Sequence, residues 1–190
     1  ATSVVRQWIG QTYAEKVLPV EIPKTTVTGV ASAEFGTVYD VARYDGSTWT
    51  KKSRGQGING RINSIFGTSA KDLIAVGNNG LLMTSTGAGD WTVASGTGSN
   101  SFSKVWGLAA NDLWAIDSNG YACRWNGTAC TQTYVGGVNY LSIWGTSNTN
   151  IFACGNSSSV ARFDGTNWLT ASAGISYPLN DLWGSSSSSV

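Results

Sequence analysis

Apolar positions along this chain come in short bursts. LIAVG from Leu73, LWAID from Leu113 and IFACG from Ile151 are rich in β-branched and aromatic residues, and turn residues bound them. An amphipathic helix spreads its apolar face over ten or more positions at a three-to-four spacing, and these runs are too short for that. They predict strands. Just before each lies another apolar segment: SIFG (Ser64 to Gly67), KVWG (Lys104 to Gly107) and SIWG (Ser142 to Gly145), with DLWG (Asp181 to Gly184) as a fourth copy. After each burst comes a turn and a third strand, as in LLMTS, YACRW and SVARF, then a fourth in DWTVAS, ACTQTY and NWLTAS.

The glycines of those four segments are 40, 38 and 39 residues apart. Short strands joined by turn signals at a period near 40 residues are the mark of propeller blades. The predicted fold is therefore all-β, a β-propeller of four-stranded blades with about 39 residues per repeat. The units run over 29–60, 61–100, 101–138 and 139–178, with a closing strand at 179–184. VARYDGSTW from Val41 matches VARFDGTNW from Val160, so the first unit has its later strands but lacks a tryptophan-glycine first strand. The closing strand would supply the missing one, joining the two ends of the ring and removing an open edge. Four blades in this chain, or part of a larger ring, are both compatible with the pattern. Residues 1–28 lie outside the repeat. Val5, Trp8, Ile9, Tyr13 and Val17 form a helical stripe broken by Gly10, which predicts an N-terminal arm or short helix.

One hairpin differs from its sisters. ARYDGSTW (Ala42 to Trp49) and ARFDGTNW (Ala161 to Trp168) become CRWNGTAC, Cys123 to Cys130. A two-residue turn at Asn126-Gly127 would set Cys123 directly opposite Cys130, and Ala42 and Ala161 opposite Trp49 and Trp168. Opposed residues lie within disulfide reach, so a Cys123–Cys130 bridge is expected. A persistent bridge points to an oxidising compartment, hence a secreted or cell-surface protein. Cys154 stands alone and reads as a buried, inert thiol.

Charge adds little. Lys and Arg total 12 against 11 Asp and Glu, and only 12% of residues are charged, against about 25% in an average soluble domain. A nucleic-acid partner is not implied. The basic run KKSRGQGINGR (Lys51 to Arg61) reads as a solvated loop. No apolar run reaches the roughly 18 residues that a membrane-spanning helix needs.

The chain has no histidine, which removes Ser-His-Asp and Cys-His nucleophiles and imidazole metal sites. Two thiols at C-x6-C without a second pair do not make a zinc site, so no metal and no cofactor is predicted. Asp45 and Asp164 sit in Asp-Gly turns, and Asp72 and Asp112 precede strands. No acid–base pair emerges and no catalytic residue is assigned. Asp117 breaks the pattern by replacing the glycine of AVGNNG.

Three arginine–aromatic pairs recur: Arg43 with Tyr44, Arg124 with Trp125 and Arg162 with Phe163. As ligand-binding residues they would grip sugar hydroxyls with an arginine and an aromatic face. As structural residues, each arginine would pair with a neighbouring carboxylate while the ring packs against the blade. The second unit has Thr84, Ser85 and Thr86 at those places, so a site in every blade is excluded.

The chain resembles secreted bacterial propellers whose blades run WG…NDLWAVG…G…YDG..W. Through RYDGSTW and RFDGTNW it is also similar to degenerate Asp-box (BNR-type) repeats. The likeness spans about residues 30–190 and implies a propeller, a fold that hosts lectins, adhesins, scaffolds and hydrolases alike. The arginine cluster, tyrosine nucleophile and acid of sialidase-type relatives do not map onto this chain. The expectation is thus a non-catalytic extracellular binding module, adhesin or lectin-like, with a glycan or surface protein as partner. The alternative is a structural subunit of a surface appendage or multichain assembly, attached through residues 1–28 or the C-terminal end. A glycan-cleaving enzyme is the third class.

Overall fold

The computed structural model describes residues 6–9, 12–15, 30–35, 38–44, 47–52, 60–69, 71–87, 91–94, 97–186 and 190, with side chains at 41, 47 and 48 and from 60 onward. Most of the N-terminal arm, the body of the basic run, Asp45 and the side chains of Arg43 and Tyr44 lie outside the described residues.

The chain is all-β and propeller-like. A hairpin of β1 (Arg6–Ile9) and β2 (Thr12–Glu15) comes first. Its backbone pairs antiparallel where the apolar spacing predicted a helix. The β-branched or aromatic Trp8, Ile9, Thr12 and Tyr13 favour the extended form. A three-stranded sheet follows, β3 (Val30–Phe35), β4 (Val38–Tyr44) and β5 (Trp49–Lys52). Three four-stranded antiparallel sheets then repeat one layout. They are β6 (Ile62–Ser69), β7 (Asp72–Gly77), β8 (Leu82–Ser85) and β9 (Thr92–Val93); β10 (Phe102–Ala109), β11 (Asp112–Asp117), β12 (Tyr121–Trp125) and β13 (Cys130–Tyr134); and β14 (Tyr140–Ser147), β15 (Asn150–Gly155), β16 (Ser159–Phe163) and β17 (Trp168–Ser172).

Equivalence of the tryptophan-glycine segments is visible in the registers. Gly67 pairs with Leu73, Gly107 with Leu113 and Gly145 with Ile151, each just before a bulge. Strands β7, β11 and β15 are buried on both faces, which is why they read as apolar runs and not as alternating ones. Outer strands β13 and β17 are exposed almost throughout.

The core lies between sheets. Ile74, Val76 and Leu82 of one sheet pack on Phe102, Val105 and Leu113 of the next. Trp114, Ile116 and Ala122 pack in the same way on Tyr140, Ile143 and Ile151. At that second junction the ring of Trp106 covers Gly145, where an added Cβ would lie 2.9 Å from the ring and 2.9 Å from the Asn150 carbonyl oxygen. The glycine is required by close approach, not by an unusual backbone angle.

The hairpin register is corrected. The hairpins turn one residue later than predicted, about Gly127-Thr128 and Gly165-Thr166. Trp125 therefore faces Cys130, Phe163 faces Trp168, and Tyr44 faces Trp49. The cause is a side-chain acceptor. Asn126 Oδ1 takes the N–H groups of Thr128 and Ala129 at 2.9 and 2.8 Å, and Asp164 Oδ1 takes those of Thr166 and Asn167 at 2.8 Å each. The bonds from Asn167 and then Thr166 hold the Asp164 carboxyl below its usual value. Moving the turn by one shifts each partner by two and preserves the faces. Cys123 and Cys130 thus remain on one side, as diagonal neighbours with Cα atoms 5.5 Å apart, and they form the disulfide. Replacing both by alanine should cost about 2 kcal/mol, as a short closed loop implies, measured by urea unfolding of the oxidised chain against the variant.

Residues 179–184 were expected as a closing strand. They carry no strand assignment, and the described order of the first sheet is β3-β4-β5. The segment lies along the last sheet. Leu179 N–H donates to Gly155 O at 3.0 Å, and Trp183 packs on Trp144 with ring centroids 6.5 Å apart while remaining 73% exposed. Asp181 ties it down, accepting from Lys104 Nζ at 2.9 Å and from Ser142 Oγ.

Candidate functional site

The two described arginine–aromatic pairs, Arg124 with Trp125 and Arg162 with Phe163, are split by strand alternation, one side chain to each face. Arg124 Nε and Nη2 both donate to Asp112 Oδ1 at 3.2 Å, and the guanidinium lies over the Trp114 ring at 5.4 Å. Trp125, on the other face, is 5% exposed and packs in the core with Phe102 and Leu113. Arg162 Nε donates to Asn150 Oδ1 at 2.9 Å and lies over Phe152 at 5.9 Å, whereas Phe163 is buried between Trp114 and Trp168. Arg124 and Arg162 are thus tethered within their own sheets, and the rings that follow them offer no open face.

The β6–β9 sheet lacks this filling. In register, Thr84 stands opposite Ile74 as Arg124 stands opposite Trp114 and Arg162 opposite Phe152. A short polar side chain replaces a guanidinium that would lie across the junction. The consequence is a cleft of about 310 Å³ between this sheet and the β10–β13 sheet, with Phe66, Ile74 and Thr84 on one wall and Leu113 and Trp125 on the other. Lys71 and Asp72 also line it, and both are exposed. Among the described residues, Asp72 Oδ2 accepts one bond, from Ser69 Oγ at 2.6 Å. Its sister Asp112 has an arginine. The sequence signal for this site was an absence: the one unit in which the arginine–aromatic phrase is missing.

Asp117 and Cys154 are used in holding the fold. Asp117 has no exposed surface. Its Oδ1 accepts from the backbone N–H of Asn119 and of Tyr121, both at 2.8 Å, and its Oδ2 from Asn100 Nδ2 at 2.7 Å. Cys154 is buried and donates to Leu179 O at 3.3 Å. Burial first, then the Asp181 charge, pushes its thiol up to about 11, only partly offset by Lys104, so it stays protonated at neutral pH. Among the described residues, no three side chains of the ligating types are grouped as a metal centre.

No protein-family model matches the chain, and neither does any curated protein. Solved structures do. The structure described as YCF48 bound to D1 peptide aligns at a TM-score of 0.55 and 16% identity, over 85% of this chain and 57% of that one. YCF48 from Cyanidioschyzon merolae aligns at 0.55 and 18% identity, over 85% and 61%. The likeness is one of fold. This chain spans about three-fifths of the length of those neighbours.

For Asp181, burial raises the carboxyl, but the hydrogen bonds from Ser142 and Lys104 and the Lys104 charge outweigh it, so the net shift is downward. A lowered folded-state value means that the tether contributes in full above the ordinary value of 3.8 and is lost as pH falls through the lowered one. The Trp183 indole N–H resonance should therefore move only in acid, and Asp181→Asn should show the acid position at every pH.

Proposed function

We propose that the chain is a non-catalytic binding module of a secreted or cell-surface protein, and that it holds a segment of a protein partner in the cleft beside Thr84. The observation that carries this reading is the cleft itself, a junction left unfilled where the next one is packed by Arg124 and Trp114. YCF48, a neighbour in fold, is described bound to D1 peptide, which supports a peptide occupant here. At the cleft a sugar would need an exposed ring to stack on, and Trp125 of its wall is 5% exposed, which favours peptide over glycan there. The Cys123–Cys130 bridge supports the oxidising compartment. For catalysis the cleft offers one carboxylate and one amine, Asp72 and Lys71, without a second acid.

The test is selection from a random peptide library displayed on phage, with the oxidised chain as target. Enriched peptides should lose binding by more than about tenfold to Thr84→Trp, whose ring fills the cleft. No enrichment, or equal binding by that variant, would reject the site.

A second reading has its own support. Tyr177 and Trp183 are 76% and 73% exposed on the segment after the last sheet, a contact surface suited to another chain of an assembly.

A further inference from the structure

Resting on the peptide reading of the cleft, we infer that its occupant presents an arginine to Asp72. The repeat supplies the reason. In each of the two later sheets, the residue that opens the second strand receives the guanidinium of the third: Asp112 from Arg124 and Asn150 from Arg162. In both, the guanidinium also lies over the ring of the residue it faces across the strands, Trp114 or Phe152. Asp72 occupies the opening position of β7, but Thr84 stands where its arginine would be. The acid has been kept and the base left out, and the vacancy is the cleft.

A partner arginine entering there would reproduce an arrangement that the chain uses internally. Its guanidinium would meet the Asp72 carboxylate, and its methylene stem would lie along Ile74 and Phe66. Arginine fits better than lysine because its planar fork matches the geometry of Arg124 on Asp112, with two nitrogens on one carboxylate oxygen. Lys71 is the competing cation. It lines the same cleft, and the ion pairs among the described residues are Lys104–Asp181 and Arg124–Asp112, neither of which engages it. Removing Lys71 should therefore leave arginine binding as tight or tighter.

Peptides enriched from the same random library on the oxidised chain provide the probe. The expected result is an arginine common to the enriched sequences. Its replacement by norleucine should weaken binding about tenfold, as loss of a charge-assisted bond implies. Asp72→Asn should weaken the parent peptide by the same factor and leave the norleucine peptide unaffected. Thr84→Arg, which installs the residue of the sister sheets, should abolish binding, with unchanged circular dichroism and urea midpoint. Enriched peptides that lack arginine yet are lost on Thr84→Trp would overturn the arginine inference and leave the cleft intact as a site. Peptides that bind Asp72→Asn as well as the parent chain would do the same. Failure to enrich any peptide would remove both.

Discussion

Gly145→Val should lower the unfolding free energy by about 3 kcal/mol, the upper range for overpacking a filled site. Even the first added carbon meets two fixed neighbours at 2.9 Å, the Trp106 ring and the Asn150 carbonyl oxygen. The carbonyl belongs to β15, paired residue by residue with the strand that carries the glycine, so it cannot retreat without breaking the register from Tyr140 to Ser147. Trp106 can move only by leaving the junction it covers beside Trp114 and Tyr140. The measurement is urea unfolding followed by circular dichroism, with Gly137→Val as the control. An added Cβ at Gly137 meets only the hydroxyl end of the exposed Tyr134 side chain, so the control should stay within about 0.5 kcal/mol of the parent. Equal midpoints for the two variants would mean that the tryptophan-glycine contact is not what seals the junction.

Asp117→Ala should cost a similar amount, about 3 kcal/mol, by a different route. Truncation leaves the N–H groups of Asn119 and Tyr121 and the amide of Asn100 without their acceptor. Part-buried donors deprived of their acceptor lose more than the net value of the bonds when made. Sister sheets have glycine here, and there the turn closes by backbone bonds such as Leu81 N–H to Asn78 O at 3.1 Å. Asp117→Asn should fall between parent and alanine, since one amide oxygen can still accept from the two N–H groups while its amino group faces the donor of Asn100. Protection of the Tyr121 amide from hydrogen exchange gives a local readout. If protection survives in Asp117→Ala, the carboxylate is not the anchor of that turn.

Strand type and repeat phase were legible from particular residues. Leu73, Leu113 and Ile151 open apolar runs that only a strand buried on both faces needs, and the glycines at 67, 107 and 145 keep the same distance from them. Local pattern suffices because burial on both faces imposes its own periodicity on each run. Hairpin register was less legible: an Asn-Gly pair suggests a two-residue turn, but whether the Asn backbone or its side chain caps the loop depends on which N–H groups come within reach. Helix against hairpin at residues 6–15 failed for a similar reason, since a weak apolar stripe is outweighed by pairing between neighbours.

By itself, then, the order of residues determined an all-β repeat of fixed phase and a pair of cysteines on one face, because strand burial and side-chain alternation are properties of nearest neighbours along the chain. Only the tertiary structure decided that Arg124 and Arg162 are tied inside their own sheets and that the gap at Thr84 opens beside an acid lacking its arginine. Those outcomes depend on what the adjoining sheet brings across the junction. Residues some 40 positions away set the shape of that space, and no window along the chain contains both of its walls.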